Sequence, residues 1–173
     1  MKRPIVVILI AVVCALSLAA PALASTSLTS YEKEVLALVN KQRARYHLTS
    51  LRVNAKLVDA ARAHSADMAA RKYFDHNSSS GEKWSSRIIR FGYTRTGFSY
   101  WRAGENIYYG SGLYSSPSVV VKAWMASKAH RAVILTQAFR ELGIGAKKTD
   151  SGYANCSGRV WFFTLDLGRR IAQ

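Results

Sequence analysis

The sequence predicts an α+β domain with an antiparallel sheet covered by helices. Apolar residues recur at helical spacing in two long segments before residue 72. Apolar and polar residues alternate instead over 160–167, and the turn-forming residues at 150–152 join that segment to an apolar one at 143–146. Helices followed by strands that hairpin-like turns connect are typical of this fold class.

The first helix is predicted over about 29–46. Thr29 and Glu32 have the spacing of a capping box, in which the side chain and the backbone of the first turn satisfy each other. Val35, Leu38 and Val39 then fall on one face, as a helix packed against a core requires.

The second helix is predicted over about 54–71. Asn54 is a favourable N-cap residue, and Leu57, Ala61, His64 and Met68 line one side of the helix. The small alanines on this side indicate close packing, and His64 is expected to be a hydrogen-bonded histidine of the core rather than a ligand.

A third helix is predicted to open at Ser116–Pro117, because the missing N–H of proline is harmless at the first helical position. Val120, Trp124 and Ser127 share a face of it, which places Ser127 within the helix, and a short helical turn should follow at 130–135. Strands are predicted at 105–109, 143–146 and 160–167, the last with its aromatic and leucine side chains on one face.

The N-terminus has the layout of a secretory signal peptide. Lys2 and Arg3 precede an apolar stretch over 5–18, and Ala22–Leu23–Ala24 is a small-x-small cleavage site. Residues 1–24 are therefore predicted to be removed, leaving one domain over 25–173 with its core at about 30–168 in an extracellular protein. An uncleaved membrane anchor is the alternative, although the apolar stretch is shorter than the roughly 20 residues of a membrane span.

Charge and cysteine content limit the classes of partner and of fold. The 173 residues carry a formal net charge of +15, of which Lys2 and Arg3 contribute two, and this favours anionic partners such as a cell-surface polymer or an acidic lipid. Cys14 lies in the predicted signal, so Cys156 remains alone and cannot form an intrachain disulfide. We expect a monomer that folds on its hydrophobic core.

An ordered set of short motifs along the chain resembles the CAP superfamily, which includes cysteine-rich secretory proteins, antigen 5 and pathogenesis-related proteins. The motifs run in this order: Leu38–Val39–Asn40 with Arg43, Ala61–Arg62, His64 to Met68, Phe74–Asp75–His76, Gly104–Glu105–Asn106–Ile107, Trp124–Met125–Ala126–Ser127, His130–Arg131 and Gly143–Ile144–Gly145. The resemblance covers about residues 30–168. Within the superfamily, the chain is similar to the secreted bacterial branch. It implies an α-β-α sandwich with a small antiparallel sheet.

The resemblance also implies a cleft built from two histidines and two acids. His76 matches the first histidine, Glu105 the first acid and His130 the second histidine, whereas Ser127 occupies the position of the second acid. Asn106 and Ser127 are expected beside the other three. The missing acid weakens any function that requires two carboxylates, such as strong chelation of a hard cation.

Three roles for this cleft follow from its chemistry. Two histidines and a glutamate are good ligands for zinc or another divalent cation, so His76, Glu105 and His130 are candidate metal ligands and candidate catalytic residues. Glu105 could instead fix a histidine tautomer within a structural network. Ser127, His130 and Glu105 also have the residue types of a nucleophile, a base and an orienting acid, although glycines of a nucleophile elbow are missing.

A non-catalytic extracellular binding module is the function that the sequence favours, with a cleft able to take a divalent cation and with an anionic cell-surface polymer, a lipid or a protein as partner. The alternative is a metal-assisted extracellular hydrolase that uses the same residues. A nucleic-acid binder is disfavoured, because positive charge is its one supporting feature.

Overall fold

The computed structural model describes residues 27–173. Its helices, in chain order, are α1 (Ser30–Arg45), α2 (Ala55–Arg71), α3 (Trp84–Arg90), α4 (Pro117–Ala126) and α5 (Lys128–Ile134), with a short 3-10 helix at Gly112–Ser115. The predicted signal peptide lies outside the described residues. Between 27 and 173, no helix is both long and apolar enough to cross a bilayer.

The strands form one four-stranded sheet. They are β1 (Arg52–Val53), β2 (Phe98–Ser111), β3 (Glu141–Thr149) and β4 (Val160–Ala172), in the spatial order β1-β3-β4-β2. The three long strands pair antiparallel, and the two residues of β1 add a parallel edge to β3. The predicted α+β class is confirmed.

The two long helices begin where their caps predict. Thr29 accepts from the backbone N–H of Glu32 while the Glu32 carboxylate accepts from the backbone N–H of Thr29, which completes the capping box of α1. The Asn54 side chain accepts from the first turn of α2. Both caps satisfy backbone donors that have no partner within the helix.

Helices cover both faces of the sheet. Leu142 and Ile144 of β3 point into a core shared with α1 and α4, whereas Gly143 and Gly145 face α2. An added Cβ at Gly143 would overlap the backbone of Leu57, and one at Gly145 would overlap the backbone of Ala61. The glycines of β3 therefore let α2 lie directly on the sheet, which leaves the rest of that face for the cleft.

Three details differ from the sequence predictions. Helix α3 and strand β1 were not predicted, because α3 is seven residues long and β1 has two. Strands β2 and β4 are longer than expected. Trp161, Phe163, Leu165 and Leu167 share one face of β4, as predicted, but the other face is buried as well, since helices pack on both faces of this strand.

Candidate functional site

His76 and Glu105, two residues of the predicted cleft, are in direct contact. The loop after α2 carries His76, strand β2 carries Glu105, and His76 Nδ1 lies 2.8 Å from Glu105 Oε1. A carboxylate can only accept, so Nδ1 carries the hydrogen and Nε2 is the nitrogen left for a ligand. The Glu105 side chain is buried, while 46% of the His76 side chain is exposed.

Arg87 binds the other oxygen of Glu105. One terminal nitrogen of Arg87, on α3, donates to Glu105 Oε2, and both terminal nitrogens donate to the backbone carbonyl of His76 at 3.2 Å. The side chains of Arg87 and Glu105 are each 1% exposed. A single buried guanidinium thus fixes the carboxylate and the loop that carries the histidine.

Asp166 lies beside Glu105 under the cleft. The two residues are directly paired in the β2–β4 ladder, and Asp166 is fully buried. Burial and the neighbouring charge of Glu105 raise the pKa of Asp166 well above its usual value. Two carboxylates cannot bond each other without a shared proton, and among the described residues neither Asp166 oxygen has another donor, so Asp166 is the protonated member of the pair.

Asn106 contacts the segment that carries His130. Asn106 is fully buried next to Glu105 on β2, and its Nδ2 donates to the backbone carbonyl of His130 at 3.0 Å. The structure therefore shows two separate contacts among these residues: His76 with Glu105, and Asn106 with the backbone of His130.

Ser127 does not lie within a helix, which corrects the sequence prediction. Its backbone is extended, with φ −82° and ψ 124°, and it ends α4 and precedes α5 at the same time. The hydroxyl does not cap α5. A break after α4 reorients the chain, so His130 sits in the first turn of a separate short helix.

The pKa values of His76 and His130 are shifted in opposite directions. The hydrogen bond to Glu105 raises the pKa of His76, and the charges of Glu105 and Asp75 add to this against burial and Arg87. Burial, and then the charge of His76, lower the pKa of His130. Near neutral pH the cleft therefore combines a histidine that readily becomes a cation with a neutral one.

The arrangement does not fit a three-ligand metal centre. In the range 27–173, no group of three or more His, Cys, Asp or Glu side chains is placed to hold a metal ion. Both oxygens of Glu105 are already bound, by His76 and by Arg87. A cation at His76, Glu105 and His130 would require Glu105 to release one of these partners.

Sequence reasoning missed Arg87 and Asp166. A polar residue inside the apolar run of 160–168 was a usable signal for Asp166, whereas Arg87 lies in a short helix with no recognisable pattern. His64 is buried and its Nε2 bonds the carbonyl of Asp75 at 2.9 Å, as expected of a core histidine. His47 is exposed just after the end of α1.

Several aromatic residues lie in the middle of the chain. Tyr93 is fully buried, and Tyr108 and Tyr109 pack against Phe163 and Phe162 of β4. Tyr114 is 70% exposed on the 3-10 helix. Most of the rings whose contacts are described therefore cover the sheet.

The chain belongs to the CAP family: the family model described as the cysteine-rich secretory protein family matches residues 36–167. Two relatives from Bacillus subtilis (strain 168) agree with this. YkwD is 38% identical over 138 residues, which cover 80% of this chain and 48% of YkwD. The membrane protein YlbC is 32% identical over 120 residues, which cover 69% of this chain and 32% of YlbC. The chain thus spans half or less of either relative.

Solved structures have the same fold. An extracellular protein with an SCP domain from Bacillus anthracis matches with a TM-score of 0.60 and 26% identity, over 86% of this chain and 45% of that one. An outer surface protein from Borrelia burgdorferi matches with a TM-score of 0.60 and 18% identity, over 80% and 91%. A cysteine-rich secretory protein from Staphylococcus aureus matches with a TM-score of 0.53 and 15% identity, over 79% and 37%.

Proposed function

We propose that this CAP domain is a secreted, non-catalytic binding module whose cleft recognises an anionic group of a cell-surface polymer through His76. The observation that carries the proposal is that both carboxylate oxygens of Glu105 are already bound. Because Arg87 and His76 bind both of its oxygens, the carboxylate has a structural role. It is poorly placed to act as a general base or as a metal ligand.

The exposed edge of His76 is the recognition group in this proposal. Its Nδ1 is bound to Glu105, so protonation places an additional donor at Nε2 of a side chain that is 46% exposed. The raised pKa favours that protonated form. A charge-assisted bond from a histidine cation to a phosphate or carboxylate is about twice as strong as a neutral hydrogen bond.

The charge of the whole chain supports an anionic partner. Residues 25–173 keep all of the net charge of +15 except the two charges of Lys2 and Arg3, and this charge attracts polyanions over distances of about a Debye length, roughly 8–10 Å. Location outside the cell is consistent with the extracellular or surface neighbours. A polymer presents many weak anionic groups, which suits a site with one cationic donor.

Binding and turnover are tested together. The protein with residues 25–173 is titrated with polyphosphate and with polyglutamate, and with vesicles of acidic lipid as a comparison. His76→Asn should weaken binding of the polymers at pH 6 several-fold, whereas His47→Asn, the same change at an exposed histidine, should not. Equal loss in both variants, or a preference for the vesicles, would count against the cleft as a polymer site.

The hydrolase and metal alternatives have their own outcomes. The same preparation is incubated with ester, peptide and nucleic-acid substrates, with and without added zinc. The proposal expects no zinc-dependent turnover and no thermal stabilisation by zinc that depends on His76 and His130. Zinc-dependent turnover that both histidine-to-alanine variants abolish would replace the binding function with a metal-assisted hydrolase.

A further inference from the structure

Two arginines lie directly opposite each other near the end of the sheet. Arg102 of β2 and Arg169 of β4 are direct partners in the antiparallel ladder. The side chains of such partners project from the same face of a sheet, with Cβ atoms about 4.5–5.5 Å apart, and like charges in this position destabilise the pairing. Arg102 is exposed and Arg169 is half-buried. We refer to these two residues as the arginine pair.

A third arginine adds positive charge beside the arginine pair. The Arg102 guanidinium lies 5.9 Å from the centroid of the Phe139 ring, and Arg140 follows Phe139 in the chain. The backbone N–H of Arg140 donates at 3.0 Å to the carbonyl of Gly168, which precedes Arg169 in β4. A terminal nitrogen of Arg140 donates to the backbone carbonyl of Phe139, which carries no net charge. Arg140 therefore raises the positive potential here without a neutralising partner.

No carboxylate of the described residues compensates the arginine pair. Within 27–173, neither of its arginines takes part in an ion pair. Glu105 and Asp166 lie three positions further along the same ladder, so the alternation of a strand directs both to the opposite face. Glu141 is directly paired with Gly168 and lies on that opposite face as well. The three chain segments around the arginine pair contain no Asp or Glu: 98–104, 131–140 and 167–173.

An exposed apolar surface adjoins the arginine pair on the same face. Tyr100 and Ile171 are the next direct partners on this face of the ladder, and they are 36% and 42% exposed. Trp101 and Arg170 separate the two pairs and project from the other face, where the Arg170 guanidinium lies over the ring of Tyr93. The face of the arginine pair therefore places two guanidinium groups beside an aromatic ring and an aliphatic side chain.

The chemistry of this surface defines the ligand. A guanidinium group is a planar fork of N–H donors that matches the oxygens of a phosphate group. A phosphomonoester carries a charge of about −1.5 to −2 near pH 7 and has three strong acceptor oxygens, so one such group can accept from both arginines and balance both charges. A carboxylate brings a single charge and two oxygens, which leaves one arginine uncompensated.

We propose that the arginine pair binds the phosphate group of a small phosphomonoester whose apolar body packs on Tyr100 and Ile171. The phosphate oxygens accept from Arg102 and Arg169, which removes the repulsion between the two guanidinium groups. This site lies on the face of the sheet opposite to Glu105, so His76 takes no part in it. It is independent of the proposed polymer function of the cleft.

The experiment follows backbone amide signals by NMR in the protein with residues 25–173, at pH 7.5 and fixed ionic strength. Phenyl phosphate is the probe, inorganic phosphate presents the same group without the ring, and benzoate presents the ring with a single charge. We expect saturable shifts at 100–102 and 169–171 with both phosphates. Phenyl phosphate should bind several-fold more tightly than inorganic phosphate, and benzoate should give no saturable shift.

Substitutions separate the two parts of the site. Arg102→Gln and Arg169→Gln should each weaken phenyl phosphate binding about tenfold, because each removes charge-assisted hydrogen bonds. Arg95→Gln is the matched control: Arg95 is exposed and lies over the ring of Trp101, on the other face, so binding should be unchanged. Tyr100→Ser should abolish the advantage of phenyl phosphate over inorganic phosphate and retain the binding of phosphate itself.

Three results would overturn this site. Equal weakening by Arg102→Gln and Arg95→Gln would reduce the binding to general electrostatic attraction. Benzoate binding as tight as that of phenyl phosphate would contradict a site for phosphate. No saturable shift with either phosphate would show that the arginine pair is a solvated surface. The polymer function is read from the effect of His76→Asn on polyglutamate, which has no phosphate, so either proposal can fail without the other.

Discussion

At the residue scale, Glu105 and Arg87 organise the cleft as a buried ion pair. Such a pair owes its stability to mutual compensation: each charge is costly to bury, and the partner removes most of that cost. Asp166 avoids the same cost by staying protonated against Glu105. The side chains that determine the geometry therefore lie beneath the surface, while the His76 side chain is widely exposed.

Removal of Arg87 should be strongly destabilising. Arg87→Gln leaves the Glu105 carboxylate buried without its main partner, and we expect a loss of about 3–5 kcal/mol in the free energy of unfolding. Arg90→Gln is the matched control on the same helix, because its bond to Glu82 is largely exposed and surface pairs contribute little. Denaturant titration measures both. A similarly small loss of stability in both variants would show that Arg87 does not stabilise the buried Glu105.

Asp166→Asn should remove a pH-dependent loss of stability. Folding raises the pKa of Asp166, so the folded chain holds a proton that the unfolded chain releases above a pKa of about 3.9. The free energy of unfolding of the parent therefore falls as pH rises from that value toward the raised folded pKa, by at most about 1.4 kcal/mol per pH unit. Asn keeps a donor toward Glu105 and has no proton to lose.

The advantage of Asp166→Asn over the parent should accordingly grow between pH 4 and neutrality. Denaturant titrations at several pH values measure it, with the exposed Asp59→Asn as the control. A difference that stays constant with pH, or that shrinks as pH rises, would show that Asp166 is ionised in the folded protein.

At the scale of elements, the glycines of β3 set the distance between α2 and the sheet. Gly143→Ala should cost several kcal/mol, since the new Cβ would overlap the backbone of Leu57, which cannot move alone. Gly104→Ala on β2 is the control, because its Cβ would meet the side chains of Val133 and Phe139 at 3.1–3.2 Å, and side chains can adjust. A lower melting temperature for Gly104→Ala than for Gly143→Ala would contradict this packing.

Caps and periodicity were enough to locate the long elements, because they are local signals. Thr29, Asn54 and Pro117 mark helix starts that the structure reproduces. The break at Ser127 and the burial of both faces of β4 depend on tertiary packing, so local patterns did not predict them. The motif order of the family predicted that His76 and Glu105 lie together, as they do, whereas Arg87 was missed because its role comes from a contact across the fold.

At the scale of the whole molecule, stability rests on the core of a helix–sheet–helix sandwich. Cys156 is free and half-buried, and it is the one cysteine of the range 27–173. Reductant should therefore leave the melting temperature of the protein with residues 25–173 almost unchanged. A fall of many degrees, together with a halved mass on gel filtration, would reveal a dimer linked through Cys156.

The proposed affinity for an anionic polymer should depend on pH through the charge of His76. An anionic polymer is bound by the cationic form of His76, so affinity should fall as pH rises through the raised pKa of this residue. The neutral His130 should contribute no such step in the same range, since its pKa is lowered.

The most direct measurement combines polyphosphate affinity and the NMR titration of His76 across pH 5 to 9, at fixed ionic strength. The account predicts that both midpoints coincide above the ordinary histidine value of about 6.5, and that His76→Asn removes the pH dependence while His47→Asn retains it. A polyphosphate affinity that does not change with pH, or a titration midpoint of His76 at or below that ordinary value, would contradict the account.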